Sequence, residues 1–391
     1  FAVFNFFKTH ESRLFPPGDK PSVVEQGVVV PPYYPATPMV KKTIAQFLTN
    51  VETVDRQVGE LIAQLKADGL YDNTIIFFYG DHGDALPWAK REMYDRGVRV
   101  PLIVRFPGEK FANTVNESLV SLVDLGPSVL SLAHIPLPRH MQGKAFLGDA
   151  AAAPRQYVFA ARDRMDTEYD RVRMVRDQRY KYVRNFMPDR PNYQAIEFRL
   201  GIPMMKEILA LREEGKLNAD QARWFSTKPG EELYDLETDP DELHNLVGEV
   251  RLQNKLKELR GALDAWLKET GDLGAMEEQE MLRQWWGGAS EAPAVAALEV
   301  KGSRDKIALS TVTPGAVISY QIRHGRPTTM HTVMTWDFGA LNPKLKNGQL
   351  VPASPAWVEY HEPLQLQPGD TLDVRAWRSG YKESVLRHIQ P

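Results

Sequence analysis

A β-branched and aromatic run, Thr74 to Tyr79, ends at Gly80 and is followed at once by Asp81, His82, Gly83 and Asp84, with Lys90 six residues further on. No other feature constrains the fold as strongly. A run of this composition closed by glycine reads as a buried parallel strand. In open α/β sheets ligands bind at the carboxyl ends of strands, so a carboxylate, an imidazole and a cation placed there suit a site. An Asp-His pair can hold a metal and a nearby lysine can hold an anion. The same residues also suit a polar turn, because Asp and Gly favour turns on their own account.

Patterning divides the chain into three regions. Residues 1–150 read as α/β. Phe1 to Phe7 is apolar apart from Asn5 and is expected as a strand. Thr37-Pro38 supplies an N-cap followed by proline at the first helical position, and Gly69 marks the other end of that helix. Between them Ile44, Phe47, Leu48, Val51, Val54, Val58, Leu61, Ile62 and Leu65 recur at helical spacing. A strand at 102–106 and a helix at 121–134 follow, which implies a mostly parallel sheet, incomplete at its N-terminal side. Residues 151–287 read as an α+β subdomain, with strands at 156–161, 172–176 and 180–184 and helices at 203–214, 219–225 and 252–270. After a small-residue linker at 287–294, residues 295–391 show short alternating strands at 307–313, 317–323, 332–338, 357–360 and 371–377, the pattern of a small β-sandwich.

The composition, 43% hydrophobic and 25% charged residues, is that of an ordinary globular protein. No apolar run approaches the roughly 18 residues of a membrane span. A net charge of −3 gives no general attraction to polyanions, so a nucleic-acid partner is not expected and any grip on an anionic ligand must come from local basic residues. The chain has no cysteine, which excludes disulfides and thiolate metal sites.

The segment from Phe77 through Lys90 to the Val100-Pro101-Leu102-Ile103 strand resembles the type I sulfatases of the alkaline phosphatase superfamily. Thr9-His10-Glu11-Ser12 is similar to the strand end that delivers that family's second active-site histidine. Arg162-Asp163-Arg164, Val172-Arg173-Met174-Val175-Arg176, Tyr180-Lys181-Tyr182-Val183-Arg184 and Glu231-Glu232-Leu233-Tyr234-Asp235-Leu236 resemble its C-terminal subdomain. The pattern covers roughly residues 1–285 in order and looks closest to polysaccharide sulfatases related to heparan N-sulfatase. The ending around Trp377-Arg378-Ser379-Gly380-Tyr381 resembles the sandwich appended to some bacterial sulfatases and glycoside hydrolases.

The resemblance implies Asp81 and His82 as ligands of Ca²⁺, with Mg²⁺ as the alternative, Lys90 as a sulfate-binding cation and His10 as a contact to sulfate or a proton-transfer group. Asp81 is a hard oxygen ligand of the kind these ions prefer, while neutral imidazole is an unusual one for Ca²⁺. Arg162, Asp163 and Arg164 are carried as substrate contacts, because an arginine fork matches sulfate and a carboxylate accepts from sugar hydroxyls. The mixed charges from 162 to 184 otherwise read as a solvated face. The family nucleophile is a formylglycine made from Cys or Ser in a Cys/Ser-x-Pro-x-Arg motif, which this sequence lacks together with the N-terminal Asp-Asp pair. The expectation is a C-terminal portion of a longer sulfatase, inactive by itself, with the formylglycine in the missing segment and a periplasmic or extracellular home. Alternatives are a phosphoesterase or phosphonate hydrolase of the same superfamily, or a nonenzymatic carbohydrate-binding remnant.

Overall fold

The computed structural model describes residues 1–18, 21–323, 345–346, 349–350, 357–384 and 387–389. They form two compact units, Phe1–Asp272 and Leu273–Pro391, so residues 287–294 lie within the second unit. The first unit begins with helix α1 (Pro38–Ala67). Its start is the expected one: the Thr37 side chain accepts the Val40 N–H at 3.2 Å, and Pro38 opens the first turn where a missing N–H costs nothing. Gly69 follows the helix in the left-handed region, at φ +68°. The apolar stripe is unevenly covered. Val40, Ile44 and Val54 are buried, whereas Leu48 and Val51 are exposed.

Strands β1 (Ile76–Tyr79) and β2 (Leu102–Arg105) pair antiparallel, with Ile76 opposite Arg105 and Tyr79 opposite Leu102. The expected mostly parallel arrangement is therefore not what the described strands adopt. A parallel pair needs a long crossover, usually helical. Here the connection holds only the four-residue α2 (Asp95–Val98) and folds back on itself. Backbone bonds from Gly80 to Pro101 (3.3 Å), Gly83 to Gly97 (2.9 Å) and Asp84 to Arg96 (3.1 Å) carry the antiparallel pairing past the strand ends. Gly83 is required by that closeness, since a β-carbon there would lie 1.9 Å from the Arg96 carbonyl oxygen. Gly83→Ala is expected to destabilise the unit by about 1–3 kcal/mol, the usual cost of overpacking, and a urea denaturation midpoint equal to wild type would disprove it. Phe1 to Phe7, expected as a strand, makes no ladder among the described residues, and Phe1, Val3 and Phe4 are exposed. A continuous apolar run predicts extended backbone; a strand also needs a partner for its N–H and C=O groups.

Helix α3 (Leu125–Leu132) leads to the four-stranded antiparallel sheet β3 (Val158–Met165), β4 (Glu168–Arg176), β5 (Tyr180–Asn185) and β6 (Glu231–Asp235), in that order. Helices α4 (Pro203–Glu213) and α5 (Ala219–Ala222) lie between β5 and β6 in the chain, and α6 (Gln253–Thr270) follows. Side chains alternate across the sheet as strand geometry requires. Val175, Tyr182 and Leu233 pack on Leu256, Leu259 and Leu263 of α6. Val172, Met174 and Val183 pack with Met93 on the other face. The sheet thus backs the loop that carries Lys90.

The second unit contains α7 (Glu278–Trp285), the hairpin β7 (Glu299–Ser303)–β8 (Lys306–Ser310) and the short pair β10 (Leu345–Lys346)–β11 (Gln349–Leu350). A four-stranded sheet runs β12 (Val358–Glu359), β9 (Val317–Arg323), β13 (Thr371–Trp377), β14 (Arg387–Ile389). Ile307, Leu309, Leu372 and Val374 share its core. The strand expected at 332–338 lies outside the described residues.

Candidate functional site

His10 ends the extended N-terminal run and caps the 3₁₀ turn Glu11–Leu14. Its Nδ1 accepts the Ser12 backbone N–H at 3.3 Å and lies 2.9 Å from the Ser12 hydroxyl. A backbone N–H can only donate, so the neutral ring carries its proton on Nε2. His82 is held in the opposite tautomer. Its Nδ1 sits 2.8 Å from the Gly83 carbonyl oxygen, which can only accept, and this leaves the Nε2 lone pair available. Burial holds His10 below the usual imidazole range, with further lowering by the charges of Lys90, His82 and Arg91 and opposition from Glu11. His10 and, from the β1–β2 connection, His82 and Lys90 therefore share one electrostatic neighbourhood, which favours the neutral form of His10.

Glu11 explains how Lys90 is placed. Its carboxylate, 2% exposed, accepts Lys90 Nζ at 2.9 Å and both ends of the Arg91 fork at 2.9 and 2.6 Å. Burial would raise the Glu11 carboxyl, but the bonds from Arg91 and Lys90 outweigh it and hold the carboxyl below its ordinary value. No motif pointed to Glu11. The available signal was the Lys90-Arg91 pair: two adjacent cations near a core demand an anion. The Lys90 loop is also braced from beneath. Trp88 and Arg91 take left-handed φ values of +66° and +81°, a strained conformation for residues with side chains. Trp88 offsets that strain by stacking on Tyr33 at 5.4 Å and Tyr94 at 6.1 Å and by touching Trp224 at 5.5 Å.

Asp81 and His82 project from the carboxyl end of β1. The Asp81 side chain is 91% exposed and its Oδ1 accepts the His82 backbone N–H at 3.1 Å, 3.9 Å from His82 Nε2. An exposed carboxylate beside an imidazole lone pair fits a divalent cation. It is a partial shell, since Ca²⁺ takes about 6–8 ligands and no group of three or more His, Cys, Asp or Glu that could hold a metal occurs among the described residues. Asp84 turns away from the pair to bond Arg96 at 3.0 Å, and burial pushes its carboxyl up.

The structure treats the three expected substrate contacts differently. Arg162 is buried, with its fork taken by Glu92 at 2.6 Å and by Asp170, and with a further bond to the Arg91 carbonyl at 2.9 Å. It supports the Lys90 loop instead of facing solvent. Asp163 accepts from Arg173 at 2.9 Å, and Arg164 is exposed. The mixed-charge stretch is not a uniformly solvated face either, because Arg173 and Lys181 are also buried in ion pairs, Lys181 with Asp95 at 2.6 Å and Glu242 at 2.8 Å.

Known sulfatases are similar to this chain in sequence. The family model described as Sulfatase matches residues 4–135, and the one described as N-sulphoglucosamine sulphohydrolase, C-terminal, matches residues 80–220. An ulvan-active sulfatase of Formosa agariphila is 37% identical over 426 residues, covering 100% of this chain and 67% of that protein. N-sulphoglucosamine sulphohydrolase of Homo sapiens is 28% identical over 259 residues, 63% of this chain and 51% of that protein. A solved structure of a 2-O GAG sulfatase is 25% identical with a TM-score of 0.45, covering 60% of this chain and 44% of that one. The chain thus spans about two thirds of the first relative's length and about half of the second's. Two overlapping family models in the expected order, with 37% identity to a sulfatase along the whole chain, place it by descent: it belongs to the sulfatase family.

Proposed function

We propose that the full-length protein hydrolyses sulfate groups on a sulfated polysaccharide or oligosaccharide, with a polymer of the ulvan kind as the first candidate. The observation that carries this reading is that Glu11, next to His10, binds Lys90 at 2.9 Å, which brings the His10 segment to the connection that carries His82 and Lys90. Lys90, already anchored by Glu11, has further N–H donors for a sulfate oxygen. Neutral His10 presents its Nε2 proton, suited to hydrogen-bond an ester or sulfate oxygen. Asp81 and the Nε2 of His82 would hold Ca²⁺ or Mg²⁺. Such a cation supplies stabilisation for oxyanion charge in the transition state. Family membership supports a formylglycine as the nucleophile of the full-length protein, and a periplasmic or extracellular location. No helix among the described residues is long and apolar enough to cross a membrane.

The test is to assay the full-length gene product, matured with a formylglycine-generating partner, on sulfated oligosaccharides and on a phosphate monoester. Sulfate release with little phosphate release is the expected result; the reverse preference would establish a phosphoesterase. In the same assay Lys90→Ala is expected to lower kcat/KM about a hundredfold, roughly 2.7 kcal/mol of transition-state stabilisation. Unchanged kinetics would remove Lys90 from the site.

A further inference from the structure

Phe198 is an exposed aromatic ring held rigidly at the edge of the site. It lies in the 3₁₀ turn Glu197–Gly201, between Ile196 and Arg199, which are 2% and 1% exposed, while Phe198 itself is 46% exposed. The turn is tied by backbone bonds of 2.8–3.1 Å from Ile196 to Gln194, from Arg199 to Ile196 and from Ile202 to Arg199. The Phe198 ring is 6.1 Å from the His10 ring at 54°, and 5.1 Å from the Phe15 ring at 59°. Phe15 fills the space beneath because residue 201 is glycine: a β-carbon there would sit 2.5–2.6 Å from the Phe15 ring atoms. The outcome is a flat apolar surface beside a histidine, in a site whose other groups are a lysine, a carboxylate and a second imidazole.

We infer that Phe198 is the face against which the sulfated sugar ring stacks, an inference that rests on reading the site as a sulfatase centre. A pyranose has two chemically distinct parts: an edge of hydroxyl and sulfate oxygens, and a face of C–H groups. Charged and hydrogen-bonding residues hold the edge. The face needs an apolar plane, which aromatic rings provide with few rotamers to freeze. With the sulfate oxygens at Lys90 and the ester oxygen at His10, the ring bearing them lies next to His10. Phe198 is an exposed aromatic ring beside that histidine, 6.1 Å from it between centroids and tilted by 54°. Phe198 is thus a specificity residue: it recognises the saccharide and leaves the chemistry of the sulfate to its neighbours.

The experiment compares the full-length gene product with Phe198→Ala, Phe198→Leu and Phe198→Trp on a sulfated oligosaccharide, measuring KM and kcat separately and melting temperature alongside. Leucine keeps apolar bulk but removes the plane, so a residue that only fills space would tolerate it. The expected result is a KM raised tenfold or more in the Ala and Leu variants, kcat within about threefold of wild type, and near-wild-type KM for Trp. Wild-type KM in the Leu and Ala variants would overturn the inference while leaving the sulfatase reading intact. So would equal loss of kcat in all three variants with a lowered melting temperature, which marks a structural role. A wild-type protein that releases no sulfate from any saccharide would defeat both.

Discussion

Glu11→Ala is expected to cost about 3–5 kcal/mol of stability, the range for breaking a buried ion pair by removing one partner. The carboxylate is 2% exposed and binds two cations, so its loss leaves Lys90 and Arg91 facing each other without an anion. Turnover should fall with it, because Lys90 would no longer be held where a sulfate oxygen is expected. Glu11→Gln tests the charge itself. The folded protein holds the Glu11 carboxyl below its ordinary value, so the stability it contributes is present above the ordinary carboxylate range and is lost as the pH falls through the lowered value. Urea midpoints of wild type and Glu11→Gln should therefore differ most at neutral pH and converge as the pH falls below the ordinary carboxylate range. A difference that stays constant over that range would show that the carboxylate charge contributes nothing.

Asp81→Asn is expected to separate activity from stability. The side chain is 91% exposed, and among the described residues its hydrogen bond is to the backbone N–H of its neighbour. Melting temperature should therefore change little. Removing a charged oxygen from a partial hard-cation shell should, by contrast, strip bound metal and lower kcat/KM by at least about a thousandfold, roughly 4 kcal/mol. Metal content by elemental analysis, measured beside turnover on the same preparation, decides the matter. A variant with wild-type metal content and turnover would show that Asp81 is not a ligand.

The two substitutions also mark what could be read along the chain. Asp81 was legible because everything that identifies it is local: a β-branched and aromatic strand, a terminating glycine and an adjacent imidazole. The Thr37-Pro38 start and Gly69 end of α1 were legible for the same reason, since caps are satisfied by residues three or four positions away. Strands β3 to β5 and helix α6 followed from patterns that are properties of a short window, whereas β6 was not among the expected strands. Glu11 was not legible, because its partners lie about 80 residues away and no motif connects them. Arg162 was misjudged as a solvent-facing contact for a related reason. A guanidinium can be buried only when anions elsewhere match its fork, and Glu92 and Asp170 were visible as partners only once folded.

Strand direction shows the same division. Composition identified β1 and β2, but whether two strands run parallel or antiparallel depends on the path between them, and residues 80–101 fold back through backbone bonds at Gly83 and Asp84. Local patterning along the chain was enough to place the residue types at the end of β1, most of the helical and extended segments and, through its motifs, the family. Folding settled which cations are held in place and which face solvent, which histidine nitrogen carries the proton, and which aromatic ring stands beside His10. Those outcomes depend on desolvation and on partners remote in the chain, and both come into being only when the chain closes on itself.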